Sequence, residues 1–210
     1  MVEDQPVQWL PMFPLGRGIF PGSSVTLRVF EPRYRQMMDG CLNRQIGFGV
    51  VLIERGSEVG GGDVRFDVGV SVTIEQVWSL GNGHLMVAAR GCTRFRVEKW
   101  IEDDPFPQAV VRYIPDPERY VADPGLRDPL ERAFSRGLAM MSELGLGTGA
   151  IAPLPADPLA AAYRALELFP VPDLDRQRIL EDDDPGERII HATAALESVN
   201  QLVEARLGGG

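Results

Sequence analysis

The sequence predicts a protein of the α+β class, in which a strand-rich part precedes a helical part. Up to about residue 120, apolar residues alternate with polar or small ones over short segments, as in half-buried strands. Beyond that point the apolar residues recur at helical spacing. One early segment, 32–42, also has helical spacing. We therefore expect residues 1–120 to form a β-barrel with one early helix, and residues 121–207 to form a helical bundle.

The chain begins with two predicted strands that flank a glycine- and proline-rich loop. Apolar residues at 10–13 predict a short strand that Pro14 should end. Residues 24–30 alternate between apolar and polar side chains, which predicts a half-buried strand. Pro32 then has the backbone angle of a first helical residue, so the early helix should start there.

The remaining strands follow at short intervals. Residues 47–54 are almost continuously apolar and predict a buried strand, whereas residues 64–80 alternate with a shift that suggests a bulge near Glu75 and Gln76. The Gly81–Gly83 segment is a hairpin signal. The last predicted strands cover 84–89, 93–100 after a break at Gly91, and 109–114.

In the second part, an aspartate followed by a proline recurs at four places. An aspartate can cap a helix, and proline fits the first helical position, so each pair predicts a helix start. The pairs are Asp123-Pro124, Asp128-Pro129, Asp157-Pro158 and Asp184-Pro185. A further short helix is expected at 173–181.

Composition points to a soluble protein in a reducing compartment. Hydrophobic residues are 44% and charged residues 24% of the chain. No apolar run approaches the ~20 residues that a membrane helix needs, and the start of the chain does not look like a signal peptide. Cys41 and Cys92 do not suggest a disulfide framework. These observations predict a cytoplasmic protein without membrane association.

Three motifs in order carry a resemblance to a known family. Phe-Pro-Leu falls at 13–15, Phe-Pro-Gly at 20–22, and Leu-Arg-Val-Phe-Glu-Pro-Arg-Tyr at 27–34. This run resembles the opening of the Lon protease N-terminal domain, which is the substrate-recognition part of that ATP-dependent protease. The glycine and phenylalanine of the 91–95 segment match a second family pattern. The resemblance implies a PUA-like barrel and a stand-alone, non-catalytic protein that lacks the ATPase and peptidase domains.

The resemblance also implies a function in polypeptide recognition. The expected ligands are exposed apolar segments of unfolded or damaged polypeptides, and the protein could serve as an adaptor for a separate ATP-dependent protease. The candidate peptide-binding residues are Phe13, Leu15, Ile19, Phe20, Tyr34 and Met38.

Three of these residues are also candidates on grounds that do not depend on the family. Leu15, Ile19 and Phe20 are bulky apolar residues in a loop that glycine and proline should keep at the surface, where an apolar patch usually marks an interaction site. Phe20 could instead fold back and plug the barrel. Tyr34 could pack on the barrel beside an Arg33–Glu31 pair, and Met38 suits either the core or an adaptable groove.

The sequence offers little catalytic chemistry. Lys99 is the only lysine, and its neighbours form neither a phosphate-binding loop nor a Ser–Lys dyad. His84 and His191 lack metal-ligand spacing to the cysteines. The acidic run 182–184 is explained by capping of the helix that starts after it. We therefore expect no enzyme activity, metal or cofactor, although an unrecognised hydrolase remains an alternative.

RNA binding is a second alternative, because some PUA-like domains bind RNA. Such proteins depend on clustered basic residues, whereas this chain carries a net charge of −9. Its densest basic segment places Arg94 and Arg96 two residues apart, which we interpret as a solvated strand face. Nucleic acid is therefore an unlikely partner.

Overall fold

A computed structural model describes residues 7–117, 124–145 and 152–207. The chain divides into two compact units, with the division between Asp116 and Pro117. The described strands belong to the first unit together with one helix, and the second unit contains four helices among its described residues. The α+β class is confirmed. The predicted boundary near residue 120 lies outside the described residues.

The first unit contains six strands and one helix among its described residues. Their bounds are β1 (Val7–Leu15), β2 (Ser24–Val29), α1 (Pro32–Arg44), β3 (Phe48–Arg55), β4 (Val64–Gly81), β5 (His84–Ile101) and β6 (Gln108–Ile114). The predicted early helix, the hairpin with Asn82 at φ 52° and the bulge between Ile74 and Gln76 are confirmed.

The strands form one sheet in the order β2-β5-β4-β3-β1-β6, and β6 also pairs with β5. This last pairing closes β5, β4, β3, β1 and β6 into a ring, while β2 is attached to β5 outside it. Strand β1 changes partner along its length. Residues 7–11 are antiparallel to β6, and residues 12–15 are parallel to β3. The ring is therefore closed through the first part of β1.

A fully buried phenylalanine, Phe95, lies at the centre of the sheet core. It belongs to a cluster with Leu10, Met12, Val51, Ala109 and Val111. Glycines make room for its ring, because a Cβ added at Gly49 or Gly69 would lie 2.8 Å or 2.7 Å from its Cζ. Real Cβ atoms do not approach so closely, so the core depends on these glycines.

The prediction that Pro14 ends the first strand is wrong. The Met12 N–H points toward β6, where it donates to the Pro107 carbonyl at 2.8 Å. Backbone groups alternate along a strand, so the nitrogen of Pro14 points to the same edge, beyond the last residue paired with β6. No hydrogen bond to β3 is lost there, and the strand continues through the proline.

The prediction of a break at Gly91 is also wrong, since β5 is continuous. The register with β4 shifts near this residue, which is the signature of a bulge. A Cβ at Gly91 would lie 2.4 Å from the Phe20 carbonyl oxygen. The glycine therefore allows a loop to lie directly on the strand.

The second unit contains α2 (Pro124–Glu143), α3 (Pro158–Leu168), α4 (Asp173–Glu181) and α5 (Pro185–Leu207). Two predicted caps are confirmed. The Asp157 carboxylate accepts the Ala160 N–H at 2.7 Å, and Asp184 accepts the Gly186 N–H at 2.6 Å. Asp123 lies outside the described residues.

The remaining pair, Asp128-Pro129, does not start a helix. Pro129 lies inside α2, five residues after its first residue. A proline there removes one hydrogen bond of the helix, and burial of Leu130 and Phe134 directly after it favours continuation. Tertiary packing thus overrides the local signal.

Helices α2 and α5 approach closely in the second unit. A Cβ at Gly137 would lie 2.5 Å from Asn200 Oδ1, and the Asn200 amide donates to the Ala133 carbonyl at 2.8 Å.

None of the described helices combines the length and the apolar character that a bilayer crossing requires.

Candidate functional site

A groove in the first unit gathers apolar side chains from β1, β2, the start of α1 and the loop between β3 and β4. We call it the β2 groove. Its volume is about 300 Å³. It is lined by Phe13, Leu15, Thr26, Leu27, Arg28, Val29, Phe30, Glu31, Tyr34, Glu58 and Val59.

Apolar side chains are exposed at this groove. Phe30 is 43% exposed and Val59 is 55% exposed, whereas Leu15 is half-buried. Phe13 and Tyr34 are buried and stack with their ring centroids 4.3 Å apart. The groove therefore combines a fixed aromatic floor with an accessible apolar rim.

Hydrogen bonds fix the loop that carries Val59. The Glu58 carboxylate accepts the Gly16 N–H at 2.5 Å, and the Glu31 carboxylate accepts the Gly60 N–H at 3.5 Å. Glu31 also pairs with Arg33 at 3.1 Å, which confirms that predicted ion pair. The loop is thus tied to both the end of β1 and the start of α1.

Tyr34 contributes an aromatic surface rather than an acid or base. Burial raises the pKa of its hydroxyl to about 12, so the ring is neutral at physiological pH. The Arg33 guanidinium lies 4.5 Å from the ring centroid in a cation–π contact.

The six sequence-predicted residues separate into two groups. Phe13, Leu15 and Tyr34 line the β2 groove. The other three do not line it and are buried elsewhere, with exposed fractions of 8% for Ile19 and 0% for Phe20 and Met38. A peptide-binding role of any of the six stays a prediction.

The expectation that Ile19 lies at the surface is wrong, and Phe20 follows the alternative in which it folds back and is buried. The Phe20 N–H donates to the buried Ser23 hydroxyl at 2.9 Å, and the Gly22 N–H donates to the Gly91 carbonyl at 2.9 Å. Glycine at 22 allows the positive φ of 85° that this turn requires. The turn holds the loop on β5, so its apolar side chains are buried instead of exposed.

Met38 lies on the buried face of α1 with Met37 and Cys41, as the alternative interpretation predicted. Burial raises the pKa of the Cys41 thiol to about 11. A thiol held protonated in this way does not resemble an activated nucleophile.

Two groove residues, Phe30 and Val59, were not among the predicted site residues. The sequence contains a signal for Phe30, because the alternation of β2, continued to the residue after its end, places Phe30 on the polar face with Thr26 and Arg28. The alternation pattern alone therefore predicts an exposed apolar side chain at this position. Val59 is an isolated apolar residue beside the glycines 60–62.

The second unit contains a larger cavity, of about 670 Å³, between α4 and α5. Its lining includes Ile179, Val199 and the 68% exposed Leu202, with a His191–Asp182 contact of 2.6 Å at one side. None of the predicted site residues lines it. We take the β2 groove as the candidate site because three of the predicted residues line it and because Phe30 and Val59 are exposed there.

The basic segment with Arg94 and Arg96 does not form the solvated strand face that the sequence predicted. Arg94 is 2% exposed and pairs with Asp116 at 3.3 Å, whereas Arg96 is exposed. Arg94 follows directly before Phe95 in β5, so its side chain is buried on the face opposite to that of Phe95. Within the described ranges, no three His, Cys, Asp or Glu side chains are grouped as a metal site.

The first unit thus combines a closed ring of strands with a groove that exposes apolar side chains. The family model of the ATP-dependent protease La (LON) substrate-binding domain matches residues 9–198. The chain belongs to this family.

Two relatives of known sequence are similar to most of the chain. Lon protease 2 of Sorangium cellulosum is 28% identical over 86% of this chain and 23% of its own length. A LON peptidase N-terminal domain and RING finger protein of Schizosaccharomyces pombe is 24% identical over 98% of this chain and 48% of its own length. The chain thus spans at most about half of these relatives.

Solved structures show the same fold. The Lon N-terminal domain protein of Xanthomonas campestris has a TM-score of 0.67 and 28% identity, covering 89% of this chain and 98% of its own. The N-terminal domain of a Mycobacterium avium complex Lon protease has a TM-score of 0.60 and 18% identity, covering 90% and 98%.

Proposed function

We propose that this chain recognises exposed apolar segments of unfolded or damaged polypeptides, and that the β2 groove binds them. Membership of a substrate-binding domain family supports the class of ligand. The accessible Phe30 and Val59 beside the buried aromatic floor support the place.

The chemistry of the groove suits weak and permissive binding. Burial of one large apolar side chain is worth about 1.5–3 kcal/mol, and ordering of the partner offsets part of it. A groove of about 300 Å³ holds few such side chains. The expected affinity is therefore modest, with preference for apolar character over a particular sequence.

The test compares two matched variants, because Phe30 and Leu42 are both 43% exposed and only Phe30 lines the groove. We expect Phe30→Ala to weaken binding to a reduced, unfolded model protein about tenfold, since it removes a large apolar contact. Leu42→Ala should bind like the wild type. Fluorescence anisotropy measures both affinities, with native model protein and single-stranded RNA titrated in parallel.

Equal binding by the two variants would contradict the proposed site. Salt-sensitive binding to RNA alone would contradict the proposed function and favour the RNA-binding alternative. The buried position of Arg94 argues against that outcome.

The proposal extends to delivery of the bound polypeptide to a separate ATP-dependent protease. The similarity to Lon protease 2 supports this step. The same two variants test it when a purified Lon protease degrades the model protein. An adaptor would change the degradation rate with the wild type and Leu42→Ala but not with Phe30→Ala, and equal rates throughout would contradict it.

A further inference from the structure

We propose that the β2 groove binds its polypeptide as an added β-strand, paired with the open edge of β2. The inference rests on the proposed function and specifies how the ligand is held. It predicts an extended ligand conformation, with recognition of the main chain by hydrogen bonds and of alternate side chains by the groove.

The first observation is the open edge of β2. The strand pairs with β5 along Ser24–Val29, and its other edge pairs with no strand among the described residues. Residues 26–30 lie along the groove. An unpaired strand edge is a ready template for another chain.

The register shows which backbone groups point outward. The Gly91 N–H donates to the Ser23 carbonyl at 2.8 Å, directly before the first paired residues, Ser24 and Arg90. Hydrogen-bonded pairs alternate in an antiparallel ladder, so residues 25, 27 and 29 point toward β5. Thr26 and Arg28 therefore present both N–H and C=O to the groove side.

The opposite border of the groove, which is the last part of β1, is less suited to pair with an added strand. Beyond Pro11 no residue of β1 is registered with β6 in the described part of the chain. The backbone of Pro14 points to this open edge and has no N–H to donate. The two borders therefore differ, because β2 offers donors and acceptors whereas the facing part of β1 offers a carbonyl only.

The side chains of the groove agree with an extended ligand. Leu27, Val29 and Phe13 are buried on its inner side, whereas Thr26 and Arg28 are exposed. A strand added to β2 would direct alternate side chains to these two environments. The favoured ligand is a segment in which apolar and polar residues alternate.

The ligand-side test uses a short capped peptide in which valine alternates with threonine. N-methylation at one alternate set of residues should weaken binding about fivefold per blocked hydrogen bond, and N-methylation at the other set should not. Equal effects of the two sets, strong or weak, would overturn the β-strand mode. The wild-type chain and isothermal titration suffice for this measurement.

The protein-side test removes one outward donor. Arg28→Pro deletes the N–H at that position, and Arg28→Ala is the matched control that removes the same side chain. We expect about fivefold weaker peptide binding for Arg28→Pro than for Arg28→Ala, with both melting cooperatively. Equal affinities of two folded variants would overturn the proposal. The N-methylated peptides decide the question if Arg28→Pro does not fold.

Failure of this inference is distinguishable from failure of the proposed function. An unfolded model protein that still binds in a Phe30-dependent manner, without the alternating N-methyl pattern, overturns strand addition and leaves recognition in place. Loss of Phe30-dependent binding altogether overturns both.

Discussion

The two parts of β1 have similar apolar composition but different surroundings. Residues 7–11 pair with β6 and help to close the ring of strands, whereas residues 12–15 pair with β3 alone and border the β2 groove. The difference lies in the partner on one edge rather than in the residues themselves. The same strand can thus have a partner on its β6 edge in one part and leave that edge open, beside the groove, in the other.

The buried and the exposed residues of this region should affect different properties, stability and binding. The Phe95 cluster includes Leu10 from the part that pairs with β6 and Met12 from the start of the part that pairs with β3 alone. The groove beside the second part exposes Phe30 and Val59. Substitutions in the buried cluster should destabilise the fold, and substitutions of the exposed groove residues should affect binding.

The largest expected effect concerns two phenylalanines. Phe95 is fully buried, so Phe95→Ala should lower the free energy of unfolding by about 3–5 kcal/mol. Phe30→Ala should lower it by less than about 1 kcal/mol, because Phe30 is 43% exposed. Urea unfolding measures both values. Similar losses would show that the rim of the groove is part of the core.

A smaller effect concerns two glycines. Gly91→Ala should destabilise the first unit by about 1–3 kcal/mol, since the added Cβ would meet the Phe20 carbonyl oxygen 2.4 Å away. Gly40→Ala is the control, because nothing lies within 4 Å of its Cβ position in α1. Alanine there should stabilise by about 0.5–1 kcal/mol. Thermal unfolding tests the pair, and equal shifts would contradict the close approach of loop and strand.

Local signals in the sequence predict much of the fold. Alternation predicts β2, helical spacing predicts α1, and the Asp157 and Asp184 caps are confirmed. Pro14 and Gly91 mislead because their effect depends on the strand beside them. The missing N–H of Pro14 lies at an edge without a partner, and Gly91 admits a loop from far earlier in the chain.

The candidate site was less predictable than the fold. The buried position of Phe20 depends on hydrogen bonds of the turn to β5, which no local pattern contains. The exposure of Phe30 could be predicted by continuing the alternation of β2 to the residue after its end. The opening beside β2 could not, because it results from the length of β1 that β6 covers.

The resemblance to the Lon family rests on residues with two different roles. Phe20 and Gly22 build the turn on β5, and Phe95 fills the core. Phe30 and Tyr34 line the groove. The first set explains why the motifs identify the fold, and the second set borders the groove that we propose as the binding site.

The most direct test of the proposed recognition site is amide hydrogen exchange of the wild-type chain with and without a reduced, unfolded model protein. The account predicts slower exchange in residues 24–30 and in the loop 56–62, with no change in α4 and α5. Slower exchange confined to the cavity between α4 and α5, with residues 24–30 unchanged, would contradict it.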